Sequence, residues 1–475
     1  MVKIQGKIYV ELSVLLQITL FCCAVIFHEG YPEAGQTFLV IIFFECFLIS
    51  TLGRLWNVYQ IFLIMMFLLN ISIPFFNYLE LYEIPAGNRL ALTNSINVPI
   101  SKFALNEAYW AITFTLLGSS IGWLITYKFN KANIFYQTSI NTKNSNKKKY
   151  SKYLFYLIWI ISVLYSMLLL KNSLTFGYVN AIHLNKGLND FTRFFVISDI
   201  LLKVVMALLL SQKINKKEFI VFFAALMVPA IIKAVAGQRG DLMISAIMFL
   251  ILYSHYFKPP TKTFITLIST SFFAIIVFLE LARFSRSLRF GADFIFETLL
   301  PNFLGWVLMY GGSLSVVAYT IELKDEFFNN VPFLFGYIVA IFSTTENYSF
   351  QGVLDKSYLA QHLTYLLRPD KLYGGSTLGT SIVAEFYELS HGNPAVIFIL
   401  AAVLLMLANV AIRRIGDGWV TTYIAFIYLQ EFVMSPRGSV MKMFNKNLVI
   451  AGLLFLIIIG IFLLLRRKKT KGSNE

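Results

Sequence analysis

The residues best suited to chemistry in this chain are arginines beside glycines. Gly237-Gln238-Arg239-Gly240-Asp241 sets Arg239 in a tight turn between two apolar segments, and Ser435-Pro436-Arg437-Gly438 forms a second Arg-Gly turn. Glycine lets the backbone bend and lets a ligand approach closely. A guanidinium group binds phosphate or carboxylate oxygens through a bidentate fork. We therefore predict that these turns hold an anion; the alternative for Arg239 is a solvated turn with a snorkelling arginine.

Three further arginines share one stripe of a predicted helix. Arg283, Arg286 and Arg289 are spaced i, i+3, i+6, which places them along one face. Three like charges on one stripe repel each other unless an anion lies among them. A diphosphate would satisfy this geometry, and so would a lipid head group.

The candidates for proton transfer lie later in the chain. A glycine-rich stretch, Gly374 to Gly379, leads into an apolar helix that carries Glu385. A carboxylate close to hydrocarbon is costly, so we expect Glu385 either to form a salt bridge with an outer arginine or to be functional. His362 is the second candidate base because an unperturbed histidine titrates near pH 6.5. Arg368, in the same region, is a candidate substrate-binding residue.

Composition determines the fold class that must position these residues. The chain has 475 residues, of which 57% are hydrophobic and 14% are charged, and its mean hydropathy is +0.69. These values exclude an ordinary soluble fold, a disordered chain and a coiled coil. We predict a single all-α polytopic membrane domain over 1–475. The apolar runs are long enough for about fourteen spans: 9–28, 35–53, 58–76, 109–127, 154–171, 194–211, 218–236, 241–257, 263–281, 301–320, 331–345, 393–412, 418–434 and 447–465.

Lysine and arginine positions predict the orientation of these spans. The basic segments 128–152 and 466–475 should be a cytoplasmic loop and a cytoplasmic tail, and 212–218, 258–262 and 413–417 should share their side. Both termini are then cytoplasmic. The outer loops are 77–108, 172–193, 282–300, 346–392 and 435–446, of which 346–392 is the largest. Arginine makes up about half of the outer basic residues and about a fifth of the inner ones, which favours an anion site outside.

The sequence contains no motif for a metal site or for a nucleotide-binding site. Cys22, Cys23 and Cys46 form no CxxC pair, and the five histidines have no metal-ligand spacing. No glycine-rich nucleotide loop opens a helix. We therefore predict no metal and no cofactor. The net charge of +15 is explained by membrane orientation, so we predict no nucleic-acid partner.

The chain resembles the Wzy-type O-antigen, or oligosaccharide repeat-unit, polymerases. The resemblance rests on four short motifs, together with the number of spans and the long late outer loop. The motifs are Gly237-Gln238-Arg239-Gly240, Gly375-Ser376-Thr377-Leu378-Gly379 through Ala384-Glu385-Phe386-Tyr387, His391-Gly392-Asn393 and Arg437-Gly438.

This resemblance implies a metal-independent membrane glycosyltransferase, similar to the GT-C class, in the bacterial inner membrane. Such enzymes transfer a glycan on undecaprenyl diphosphate to a new lipid-linked repeat unit at the outer leaflet, for O-antigen, capsule or exopolysaccharide. The expected partners are undecaprenyl-diphosphate-linked oligosaccharides, membrane lipids and a chain-length regulator. We assign Arg239 and Arg283 or Arg286 to the donor diphosphate, Arg437 to the acceptor or leaving group, and Glu385 or His362 as base.

Three other functions remain open from sequence. A ligase that moves finished polymer would share the arginines and the loop. A flippase should instead place its charges along a central path and often shows internal symmetry. A membrane acyltransferase would need a histidine near the bilayer with a partner acid, and His255 is the only weak candidate.

Overall fold

The computed structural model describes most of the chain as helix. The described residues are 2–51, 57–82, 99–130, 145–176, 190–212, 214–238, 240–257, 311–327, 331–343, 345, 349–374, 377–445, 449 and 452. This described part is 85% helical and contains no strand. Eight of its helices are long and apolar enough to cross a membrane. The prediction of an all-α polytopic membrane protein is confirmed at this level.

The helices fall into a long N-terminal series and a shorter C-terminal one. The first series is α1 (Val2–Gly30), α2 (Gly35–Ser50), α3 (Val58–Met66), α4 (Ser72–Tyr78), α5 (Lys102–Asn130), α6 (Ser145–Phe176), α7 (Asp190–Ser211), α8 (Lys216–Ala236) and α9 (Gly240–Phe257). The second is α10 (Ser313–Glu322), α11 (Gly336–Val339), α12 (Phe350–Lys356), α13 (Leu359–Leu367), α14 (Pro369–Tyr373), α15 (Ile382–Ser390), α16 (Pro394–Arg414) and α17 (Trp419–Met434).

Helix α5 lies at the centre of the bundle. It packs against α1, α2, α10, α15 and α16. Gly118 and Gly122 form a GxxxG face toward α16, where an added Cβ would lie 2.1 Å from the carbonyl oxygen of Phe398 and 2.3 Å from that of Ala402. Small residues allow such close backbone approach between membrane helices. This contact fixes α16, and with it the adjoining α15, against the core.

The bundle has two ends that differ in charge. We call the end where α5 finishes and α6 begins the basic end, and the opposite one the distal end. At the basic end, Lys148 and Lys152 each lie 2.6 Å from Glu218 at the start of α8. Arg413 donates to the carbonyl oxygen of Thr126 nearby. The described residues Lys148, Lys152, Glu218 and Arg413 therefore lie at the same end.

Two predictions about the spans are wrong. Residues 331–345 do not form a spanning helix: a 3-10 turn at Phe333–Phe335 is followed only by the one-turn α11. Gly336 packs against the backbone of Ser357, where a Cβ would lie 2.2 Å from its carbonyl oxygen, so this segment is folded against α12. The predicted spans 263–281 and 447–465 lie outside the described residues, apart from 449 and 452.

The position of Glu322, at the C-terminal end of α10, also differs from the alternating prediction, which places this residue on the cytoplasmic side. The backbone N–H of Ser101, just before α5, donates to Glu322 Oε2 at 3.1 Å. The C-terminal end of α10 therefore lies at the distal end. With no span at 331–345, residues 323–327 and the folded segment that follows can share that end.

The predicted outer loop 346–392 is a folded region. Its described residues form helices α12, α13, α14 and α15. The last of these is buried almost all round, with Ile382, Val383 and Ala384 fully covered. A helix covered on nearly every side lies within the protein core. This helix carries Glu385 into the protein interior at the distal end.

Candidate functional site

Glu385 is the buried carboxyl group of the distal end. Its side chain is 1% exposed. Thr380 Oγ1 donates to Oε1 at 3.0 Å and Ser439 Oγ donates to Oε2 at 2.8 Å. Among the described residues no lysine or arginine forms an ion pair with it, so the predicted salt bridge to an outer arginine is not found there. Two hydroxyl groups from two different segments hold the carboxyl group instead.

This environment raises the proton affinity of Glu385, which lies outside the eight candidate spans. Burial raises the pKa of the carboxyl group from 4.5 to about 8, against the opposing hydrogen bonds from Ser439 and Thr380. The nearby Glu388 carboxylate adds to the rise. A carboxyl group whose pKa lies near the working pH can accept and release a proton during a reaction.

Arg437 lies on the segment that supplies Ser439. A 3-10 turn at Ser435–Arg437 is followed by Ser439, which caps a second 3-10 turn at Val440–Phe444 by accepting from Met441 N at 3.3 Å. The side chain of Arg437 is exposed, whereas Ser435, Pro436 and Ser439 are buried. The backbone of Arg437 therefore lies two residues from Ser439, which binds Glu385.

A network of buried charges lies beside the Gly237–Gly240 turn. Lys233 on α8 is 6% exposed. It forms ion pairs with Asp199 on α7 and with Asp241, 3.3 Å away on α9. Ser162 on α6 donates to the other oxygen of Asp199. This network ties α6 and α7 to α8 and α9, the two helices that flank the turn.

The helix start just after the 237–240 turn is linked electrostatically to the segment after Arg437. Asp241 lies within electrostatic reach of Lys442 and Lys203, and Lys442 is three residues after Ser439. Arg239 itself lies outside the described residues, between Gln238 and Gly240. Gly237 ends α8 in the left-handed region with φ of 119°, a conformation that favours glycine.

His362 occupies an apolar setting on α13. It is fully buried, its ring lies 4.9 Å from that of Phe333, and Nδ1 donates to the carbonyl oxygen of Tyr358 at 3.2 Å. Burial lowers the pKa of His362 to about 4. The histidine is therefore neutral at pH 7 and takes up a proton far less readily than Glu385 does.

Arg368 already binds a carboxylate. Its Nε and Nη2 donate to the two oxygens of Asp370 at 2.8 and 2.7 Å, and this fork lowers the pKa of Asp370 to about 2. A substrate anion would have to compete with Asp370 for the same donors. The arginine stripe of Arg283, Arg286 and Arg289 lies outside the described residues.

The His391-Gly392-Asn393 motif builds a turn between two helices. His391 and Gly392 both adopt left-handed backbone conformations, with φ of 51° and 79°. Asn393 then caps α16 by accepting from Ala395 N at 3.0 Å, and Pro394 occupies the first helical position. The motif fixes the angle between α15, which carries Glu385, and α16.

Sequence reasoning missed the partners of the site. The sequence gives no reason to single out Thr380 or Ser439. Thr380 lies five residues before Glu385 and Ser439 lies two residues after Arg437, and hydroxyl residues at such spacings are common. Asp199 was hidden in an apolar run, although a lone acid there signals a buried partner.

Comparisons with known proteins give one finding. Searches of the curated proteins and of the solved structures each returned no match. The family model of the O-antigen polysaccharide polymerase Wzy matches residues 9–470, nearly the whole chain. With its apolar helices and this match, the chain belongs to the Wzy family of O-antigen polysaccharide polymerases.

Proposed function

We propose that this polymerase transfers a growing glycan from undecaprenyl diphosphate to a new lipid-linked repeat unit at the distal end of the bundle. The family acts on lipid-linked oligosaccharide repeat units in membranes. The observation that carries the proposal is the juxtaposition of buried Glu385 with the segment of exposed Arg437 through Ser439. This pairs a proton acceptor with an anion-binding group.

The reaction forms one glycosidic bond and breaks one phosphate ester bond. A hydroxyl oxygen of the acceptor sugar attacks the anomeric carbon of the donor glycan. The bond from that carbon to the diphosphate oxygen breaks, and undecaprenyl diphosphate leaves with the electron pair. The hydroxyl proton passes to the carboxylate of Glu385. The donor is already activated by diphosphate, so the transfer consumes no nucleotide.

Glu385 is the proposed base in preference to His362. A base acts best when its pKa is near the working pH, and burial places the pKa of Glu385 at about 8 but that of His362 at about 4. Thr380 and Ser439 hold the carboxyl group without neutralising it. His362 then has a packing role against Phe333.

The arginines supply positive charge for the two diphosphates. We assign Arg239 and Arg283 or Arg286 to the donor, with Arg289 on the same stripe, and Arg437 to the acceptor or leaving group. A fixed cation aimed at charge that develops during bond breaking is an effective source of rate enhancement. We leave Arg368 in its pair with Asp370. Chemistry by arginines and a carboxylate, on lipid-linked donors, corresponds to a GT-C-like, metal-independent enzyme.

The membrane orientation follows from the basic end. We propose that the basic end faces the cytoplasm, because lysine and arginine concentrate there. The site then faces the periplasm or exterior, and both termini are cytoplasmic in a bacterial inner membrane. A chain-length regulator would meet the enzyme at the distal end.

The test is deletion of the gene, followed by complementation with variants and a gel of the surface polysaccharide. Collapse of the ladder to a single repeat on its carrier supports a polymerase, because flipping and ligation continue. Loss of every repeat indicates a ligase or flippase instead. Arg239→Ala should stop chain growth and Arg437→Ala should slow it strongly, each at unchanged protein level; normal ladders would remove those arginines from the mechanism.

A further inference from the structure

Asn70 lies at a break in the helix that runs from Val58 to Tyr78. Between α3 and α4, residues Phe67–Ile71 form a π turn in which Ser72 N–H donates to the carbonyl oxygen of Phe67. Pro74 supplies the cause, because it has no N–H to donate to the carbonyl oxygen of Asn70, four residues earlier. Such π turns are frequent at functional sites.

The amide of Asn70 binds the turn that carries Arg437. Asn70 is fully buried, and its Nδ2 donates to the carbonyl oxygen of Pro436 at 3.1 Å. Pro436 immediately precedes Arg437. On the other side of the arginine, Ser439 donates to Glu385 at 2.8 Å. The backbone of the exposed Arg437 is therefore fixed on both sides by buried polar groups from distant parts of the chain.

We propose that Asn70 is a positioning residue that sets the location of Arg437 relative to Glu385. A buried amide loses its hydration, and that loss is recovered only through hydrogen bonds. An apolar side chain would pack at this site without that loss. The amide instead contacts the residue next to an exposed arginine, which ties the π turn to the substrate-facing turn. This inference rests on the anion-binding role proposed for Arg437.

The test is a double-mutant cycle between Asn70→Leu and Arg437→Ala. Leucine has the same branching and the same number of side-chain heavy atoms as asparagine but donates no hydrogen bond. Because misplacement by about 1 Å can lower a rate about 100-fold, we expect Asn70→Leu to slow chain growth by about 10- to 100-fold. Growth is measured as repeat addition by purified enzyme in proteoliposomes, at matched protein levels.

Non-additivity separates positioning from general packing. If Asn70 acts through Arg437, the double variant should be no slower than Arg437→Ala alone, within about twofold. Losses that multiply, or normal growth of Asn70→Leu, would overturn the proposal while leaving Arg437 in the mechanism. Normal growth of Arg437→Ala by itself would remove the proposed anion role, and this inference with it.

A second measurement does not depend on activity. Hydrogen–deuterium exchange in a peptide covering 435–439 should accelerate in Asn70→Leu, and also in Asn70→Ala if the leucine variant fails to accumulate. A peptide from α16, such as one within 398–408, serves as the internal control and should not change. Unchanged exchange at 435–439 in a folded variant would show that Asn70 does not hold this turn.

Discussion

Replacing Glu385 by glutamine should stabilise the protein while stopping catalysis. Burial raises the pKa of this carboxyl group from 4.5 to about 8, so the folded state binds the proton more tightly than the unfolded chain. As pH rises above 4.5 the unfolded chain ionises first, and stability falls until the pH passes about 8. At 1.36 kcal/mol per pKa unit, this ionisation costs about 3 kcal/mol at pH 7 and about 5 kcal/mol above pH 8.

Glutamine has the same shape but cannot ionise, so it removes this cost. Its carbonyl oxygen still accepts one hydroxyl, and the other hydroxyl can rotate to accept from the amide. The apparent Tm of detergent-purified Glu385→Gln should therefore match wild type near pH 4.5 and exceed it increasingly up to pH 8. Chain growth should be abolished in the same variant, because an amide cannot take the acceptor proton.

The control is Glu326→Gln, which removes one exposed carboxylate in the short helical turn Lys324–Glu326. It should leave both the pH dependence of Tm and the polysaccharide ladder unchanged. A ladder of normal length from Glu385→Gln would refute the base assignment. Parallel Tm curves for Glu385→Gln and wild type from pH 4.5 to 9 would refute the ionisation argument.

Three further outcomes are expected. Gly122→Ala should lower the free energy of unfolding by about 1–3 kcal/mol, because its Cβ would meet the backbone of α16, and the apparent Tm should fall accordingly. Gly30→Ala, with open space around its Cβ, should not lower the Tm. Lys233→Met should lower membrane abundance by leaving two carboxylates without their cation, a loss of about 2–3 kcal/mol since these acids stay partly exposed. Arg368→Ala should keep chain growth within about threefold of wild type, because Asp370 already occupies the fork; a stopped ladder would return Arg368 to the site.

The helical membrane fold could be predicted because apolar runs of bilayer length have few other solutions. Most spans, from Val2–Gly30 to Pro394–Arg414, follow their predicted positions within several residues. The apolar run 331–345 led to a wrong prediction of a span, because apolar residues also occur in segments that fold against other helices without crossing the membrane. An apolar run indicates a segment that is shielded from water, but it does not indicate whether lipid or other parts of the protein surround it.

The site was predictable only in its charged members. Glu385 was identified as a candidate because a carboxyl group in an apolar stretch is costly unless it is paired or functional. Its partners Thr380 and Ser439 are set by tertiary packing of α15 against the 435–437 turn, which no local spacing encodes. The same holds for Asn70 and Pro436, which are 366 residues apart in sequence.

Lys233 and Glu385, both buried at the distal end, have different kinds of partner, and this difference determines what each can do chemically. Lys233 is held between two carboxylates, so its charge is neutralised and serves to anchor the turn at 237–240. Glu385 has hydroxyl partners, which leave its proton affinity high. A cation at the place of Ser439 would have lowered the pKa of Glu385 and weakened it as a base. Hydroxyl ligation thus keeps the carboxyl group able to accept a proton, while the side chain of Arg437, two residues from Ser439, is exposed, as its proposed role in anion binding requires.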